Sequence, residues 1–154
     1  MILKRIHFDN EILNYIRFFF YPVIIILLPL RVPQVLMVLF GFAIGLTIDV
    51  FYDSLGVHAS ALTFTAFMRY YVLNALEPRG GYNLLTQSPT KKQFGNNWFL
   101  SYLLIMYAIH IVFYFSVEVF TFVYWDKILL YVLFSYVFSV LLALVYIFIF
   151  DPVD

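Results

Sequence analysis

An all-α integral membrane bundle is the fold this sequence predicts, on three observations. Hydrophobic residues make up 64% of the 154 positions and charged ones 12%, with a mean hydropathy of +0.94, whereas soluble domains are about 45–50% apolar and about 25% charged. The apolar residues form long unbroken runs and lack the alternation a membrane barrel requires. In hydrocarbon every backbone N–H and C=O needs a partner within the protein, so such runs have to be helical. Nine Lys+Arg match nine Asp+Glu, leaving no basic surplus for nucleic acid. Absence of cysteine removes disulfides, thiolate metal sites and a thiol nucleophile.

The chain reads as one membrane domain, 1–154, with five evident spans. Residues 1–17 set Ile2, Ile6, Leu13 and Ile16 on one stripe among Lys4, Arg5 and Arg17, predicting an amphipathic segment at the headgroups or a frayed tail. His7, Asp9, Asn10 and Glu11 follow too closely for a cleavable signal peptide. Phe18 to Leu30 is a short first span interrupted by Pro22 and Pro29. Val32-Pro33 turns the chain into a second span, Val35 to about Phe51. Asp53-Ser54-Leu55-Gly56 turns it into a third, Val57 to Leu76, which Pro78 stops. Residues 77–97 read as a polar loop. Trp98 to Trp125 is a fourth span with a tryptophan for each interface; Asp126-Lys127 leads into the fifth, Ile128 to Phe150, ended by Asp151-Pro152.

Orientation follows from Arg and Lys. Arg79, Lys91 and Lys92 put loop 77–97 in the cytoplasm, with the Arg31 turn and the C-terminus, and the uncharged-by-base 53–56 turn outside. Five spans then leave Lys4, Arg5 and Arg17 outside, against the same rule. An outer-surface N-terminal segment, a re-entrant Phe18–Leu30 or a missing first helix each resolves the conflict. The third is preferred on the resemblance described below.

Gly41 and Gly45 form a G-x-x-x-G pair, and Asp49 continues the same helical face. Such a ridge admits a neighbouring helix closely, by packing within the chain or by dimerisation. An ionised Asp49 near the outer helix end needs donors, and the Gly56–His58 backbone is the expected source; a proton or cation relay is the alternative. His58 opens the third span, where Ala59, Thr63 and Ala66 make the facing small-residue surface. Arg69 is expected to snorkel toward the cytoplasmic side. His110 is expected to be hydrogen-bonded inside the bundle, and Glu118, two turns on, to be paired or functional.

Covalent chemistry finds no support. The serines lack a G-x-S-x-G context, Gly80-Gly81 lacks a following Lys-Ser/Thr, and His110 and Glu118 are too widely spaced for a metal site. No enzyme, cofactor or metal is therefore expected.

Gly41 to Arg69, G-F-A-I-G-L-T-I-D-V-F-Y-D-S-L-G-V-H-A-S-A-L-T-F-T-A-F-M-R, resembles the signature of the rod shape-determining MreD family, in its Bacteroidetes-type branch. Gly45, Leu46, Asp49, Leu55, Gly56, His58 and Ala59 occupy the places of a Gly-Leu-x-x-Asp helix, a short turn and a Leu-Gly-x-His-Ala helix start. Met68-Arg69, Pro78-Arg79-Gly80-Gly81-Tyr82, His110 and Glu118-x-Phe120 add landmarks, and the similarity runs from about Tyr21 to Phe150. It implies a six-helix fold similar to the substrate-binding subunits of energy-coupling-factor transporters, with one more helix ahead of Tyr21. It also implies a non-enzymatic scaffold of the cell-elongation machinery in the bacterial inner membrane, contacting lipid and working beside MreC, MreB, RodA and a class B penicillin-binding protein in peptidoglycan synthesis. The alternative is a small-molecule transporter or its substrate-binding subunit, with His110 and Glu118 lining a pocket.

Overall fold

The computed structural model describes residues 19–54, 56–83, 88–119 and 125–150. They form six helices and, among the described residues, no strand: α1 Pro22–Leu27, α2 Gln34–Tyr52, α3 Val57–Ala75, α4 Lys91–Phe94, α5 Asn96–Val119 and α6 Trp125–Phe150. The amphipathic segment 1–17, Leu55 of the turn, Phe120 and the Asp151-Pro152 terminus lie outside the described residues.

Proline sets the first boundaries. Pro22 stands in the first turn of α1, where its missing N–H and fixed φ cost nothing. Pro29 pushes the residue before it out of the helical region, and Leu28 is accordingly extended at φ −54°, ψ 140°. The expected first span is thus reduced to six helical residues, about 9 Å of rise, too short to cross a bilayer as a helix. Pro33, extended at φ −65°, ψ 146°, then leads into α2.

The α2–α3 hairpin turns on two left-handed residues, Asp53 at φ 53° and Gly56 at φ 84°. The backbone N–H groups of Asp53 and Ser54 both reach the Asp49 carbonyl, closing the end of α2. Farther on, the expected Trp98–Trp125 span divides: α5 ends at Val119 and Trp125 opens α6. A continuous helix between the two tryptophans would be about 40 Å long against a hydrocarbon core of about 30 Å, and the two tryptophans fall on separate helices.

Among the described residues three helices are long and apolar enough to cross a membrane: α2, α5 over Asn96–Glu118, and α6 over Leu129–Ile149. Their packing is that of a membrane protein. Only Met37, Gly41, Gly45 and Asp49 of α2 are buried, one every fourth residue, while Leu36, Phe40, Leu46, Val50 and Phe51 face outward. In water such a surface would force association; in lipid it is solvated. Conversely α3, as long as α2, carries His58, Ser60, Thr63, Thr65 and Arg69 and buries nine residues. Sheathed by α1, α2 and α5, it meets protein where α2 meets lipid. The main core joins Val23 and Ile26 of α1, Ala61 and Val72 of α3, Leu103, Met106 and Ile111 of α5, and Val140, Ala143 and Ile147 of α6.

Candidate functional site

The site begins where α2 and α3 cross. A Cβ placed on Gly45 would lie 2.4 Å from Ala59 Cα and 2.6 Å from the His58 carbonyl oxygen, so the two backbones touch there. At Gly41, one turn earlier, the nearest atoms are the Leu62 carbonyl oxygen at 2.9 Å and Ala66 Cβ at 3.2 Å. The α3 surface met by the two glycines is therefore Ala59 and Ala66, with the Leu62 backbone carbonyl between them. Thr63 donates its hydroxyl to the Ala59 carbonyl at 2.6 Å.

This close approach carries Asp49 into the start of α3. Its Oδ1 accepts the Ser54 hydroxyl at 2.6 Å, the His58 backbone N–H at 3.0 Å and His58 Nδ1 at 3.0 Å. Its Oδ2 accepts the Ala59 backbone N–H at 2.8 Å. Two of these donors belong to the first turn of α3, which has no other cap from its own N-cap residue, Gly56. The carboxylate of one helix thus caps the next, as the sequence predicts, and Gly56 supplies the positive φ that aims those N–H groups at it. With the Ser54 proton spent on Asp49, the hydrogen on His58 is assigned to Nδ1 from its partners. The His58 ring lies among Tyr21, Tyr52 and Tyr114, with centroids 5.6, 5.4 and 5.0 Å away.

Ser54, His58 and Asp49 are not arranged as a hydrolytic relay. Serine and carboxylate address the same ring nitrogen, 2.9 and 3.0 Å away, whereas a relay needs them on opposite nitrogens. Among the described residues no three His, Cys, Asp or Glu side chains are grouped to hold a metal ion.

Deeper in the bundle, His110 is fully buried and bonded on both sides, Nδ1 to Thr65 Oγ1 at 2.9 Å and Nε2 to the Tyr21 hydroxyl at 3.1 Å. Thr65 gives its own proton to the Ala61 carbonyl at 2.7 Å, so it accepts from Nδ1–H and Nε2 accepts from Tyr21. His110 is hydrogen-bonded within the bundle, in line with the expectation.

Arg69 corrects the sequence reading. It does not snorkel: it is 2% exposed and its guanidinium points into the protein. Nε donates to the Tyr102 hydroxyl at 2.8 Å, Nη1 to Met37 Sδ at 2.9 Å and Nη2 to the Leu28 carbonyl. Tyr102 passes its proton to the Ile26 carbonyl at 2.9 Å. The physical reason is α1: a helix broken at mid-bundle leaves C-terminal carbonyls that water cannot reach, and a cation with several N–H donors satisfies them. Glu118 lies half-buried in the last turn of α5, two turns beyond His110.

His58, Thr65 and Arg69 recur on α3 at intervals of seven and four, so one polar stripe faces the core along the helix. That spacing was a usable sign of Thr65. Tyr21 and Tyr102 carried none, being two among 13 tyrosines. Ser54 was readable only as a turn residue.

Fold and site together define a helical membrane protein with a buried polar spine. No family model, no curated protein and no solved structure matches this chain.

Proposed function

We infer that this chain is a multi-pass scaffold of the bacterial cytoplasmic membrane, of the MreD type, acting without catalysis in the rod-shape machinery. In this reading α2, α3, α5 and α6 cross the bilayer, and the segment around α1 packs among them as the irregular fifth element. The turn 53–56 faces outward and loop 77–97 faces the cytoplasm and the MreB filament. MreC packs against the helices, with RodA and a class B penicillin-binding protein nearby.

One observation carries the reading. The residues that bear the resemblance, Gly45, Asp49, Gly56, His58 and Ala59, are those gathered at the α2–α3 crossing, each with a mechanical task there. Asp49 is engaged by four donors from residues 54–59. A carboxylate so occupied braces a hairpin and is poorly suited to shuttle protons, which favours a structural role for Asp49 over the proton or cation relay.

The experiment is depletion in a rod-shaped host together with affinity purification. Cells are expected to become round and MreC to copurify, while Asp49→Asn reduces assembly of the complex without altering any turnover. Rods that persist after depletion, with no MreC recovered, would remove the proposal.

A further inference from the structure

Contacts along the chain bring four basic residues to one end of the bundle. Gln34 Nε2 reaches the Phe67 carbonyl at 3.4 Å, setting the Arg31 turn beside the C-terminal part of α3. Trp98 Nε1 donates to the Leu76 carbonyl at 2.7 Å, seating the start of α5 and the neighbouring α4 at the same end. Lys91 Nζ lies 4.8 Å above the ring of Phe148, near the end of α6. Arg31, Arg79 and Lys92 are exposed and Lys91 half-buried, against one acid, Glu77, at this end among the described residues. Among the described residues the opposite end carries the acids Asp53 and Glu118.

The rings beneath these charges locate them relative to the lipid. Tyr82, Phe94 and Trp98 pack together, with Phe94 and Trp98 centroids 4.4 Å apart and Trp98 stacked on Tyr102 at 5.3 Å. Tyrosine and tryptophan gathered at the ends of apolar helices mark the headgroup level. Lys91, its stem reaching over Phe148, holds its ammonium at that level.

We propose that this end, built from Arg31, Arg79, Lys91 and Lys92 around the Tyr82–Phe94–Trp98 cluster, binds the phosphate of anionic phospholipid headgroups in its own leaflet. An acidic partner protein would not need the aromatic girdle that places these charges beside lipid phosphate. The site is independent of the scaffold role and stands or falls separately from it.

The test uses the full chain in a neutral detergent, with thermal unfolding followed as phosphatidylglycerol, phosphatidylcholine or inorganic phosphate is added. Phosphatidylglycerol is expected to raise the midpoint; the other two are not. Each basic residue near an anionic surface contributes roughly fivefold in partitioning, so Lys91→Gln with Lys92→Gln should require roughly 25-fold more lipid for the same rise. Arg31→Gln and Arg79→Gln, at exposed turn positions, should together do the same, and Asp53→Asn at the far end should change nothing. An equal rise with phosphatidylcholine, an equal rise with inorganic phosphate, or a wild-type response from both double variants would overturn the proposal.

Discussion

Gly45→Ala is the sharpest perturbation of this protein. On an exposed helix the change would stabilise by about 1 kcal/mol, because alanine is the better helix former. Here the new methyl would lie 2.4 Å from Ala59 Cα and 2.7 Å from Ala59 N, both backbone atoms that no rotamer can move. Reaching an ordinary contact of 3.4 Å requires the helices to part by about 1 Å. Asp49 lies one turn further along, and its bonds of 2.8 Å to Ala59 N–H and 3.0 Å to His58 N–H would stretch beyond hydrogen-bond range. Two bonds to a charged acceptor, at about 1.5–3 kcal/mol each, less the propensity gain, leave a net loss of about 2–5 kcal/mol. Gly41→Ala meets a carbonyl oxygen at 2.9 Å and should cost nearer 1 kcal/mol. Thermal unfolding in detergent measures both, with Gly45→Ala expected to lower the midpoint by roughly 5–15 °C. A Gly45→Ala protein as stable as the parent, or a Gly41→Ala protein that is the weaker of the two, would refute the close crossing.

Asp49→Asn replaces one acceptor oxygen by an amide that faces donors, and should lower stability by about 2–3 kcal/mol in the same assay, with Asp49→Glu failing to rescue because the longer acid cannot fit the crossing. At the turn, Asp53→Gly should stabilise by about 1 kcal/mol by relieving a left-handed non-glycine residue, while Gly56→Ala should cost a similar amount. Arg69→Lys keeps the charge but cannot serve Leu28, Met37 and Tyr102 at once, so it should loosen α1 and cost about 2–4 kcal/mol, read as faster proteolysis near Pro29. Burial pushes the Tyr82 phenol up to about 12 from its ordinary 10, helped by the Glu77 charge. Its contribution is therefore fully present below pH 10 and lost as pH rises toward 12, and absorbance titration should find the phenol ionising above the exposed tyrosines.

The α2–α3 hairpin was legible because its determinants are local. Gly41, Gly45 and Asp49 share a face by spacing alone, and Asp49 meets donors only nine and ten residues away. Arg69 was misread for the opposite reason: Leu28, Met37 and Tyr102 lie 32 to 41 positions off, and no periodicity announces a cation wanted by another helix's carbonyls. The brevity of α1 was written in Pro22 and Pro29, but composition alone counted its apolar residues as a span. The fourth boundary slipped because Trp125 marks an interface from either side, and ring chemistry cannot tell the end of one helix from the start of the next.

The broken α1 also constrains assembly in time. A six-residue helix with bare carbonyls at Ile26 and Leu28 has no refuge in hydrocarbon until Arg69 and Tyr102 are present to meet them. Those two residues are synthesised later, on α3 and α5. The stretch from Phe19 to Pro33 therefore precedes in the chain the residues that satisfy it, and its carbonyls are met only once α3 and α5 are in place.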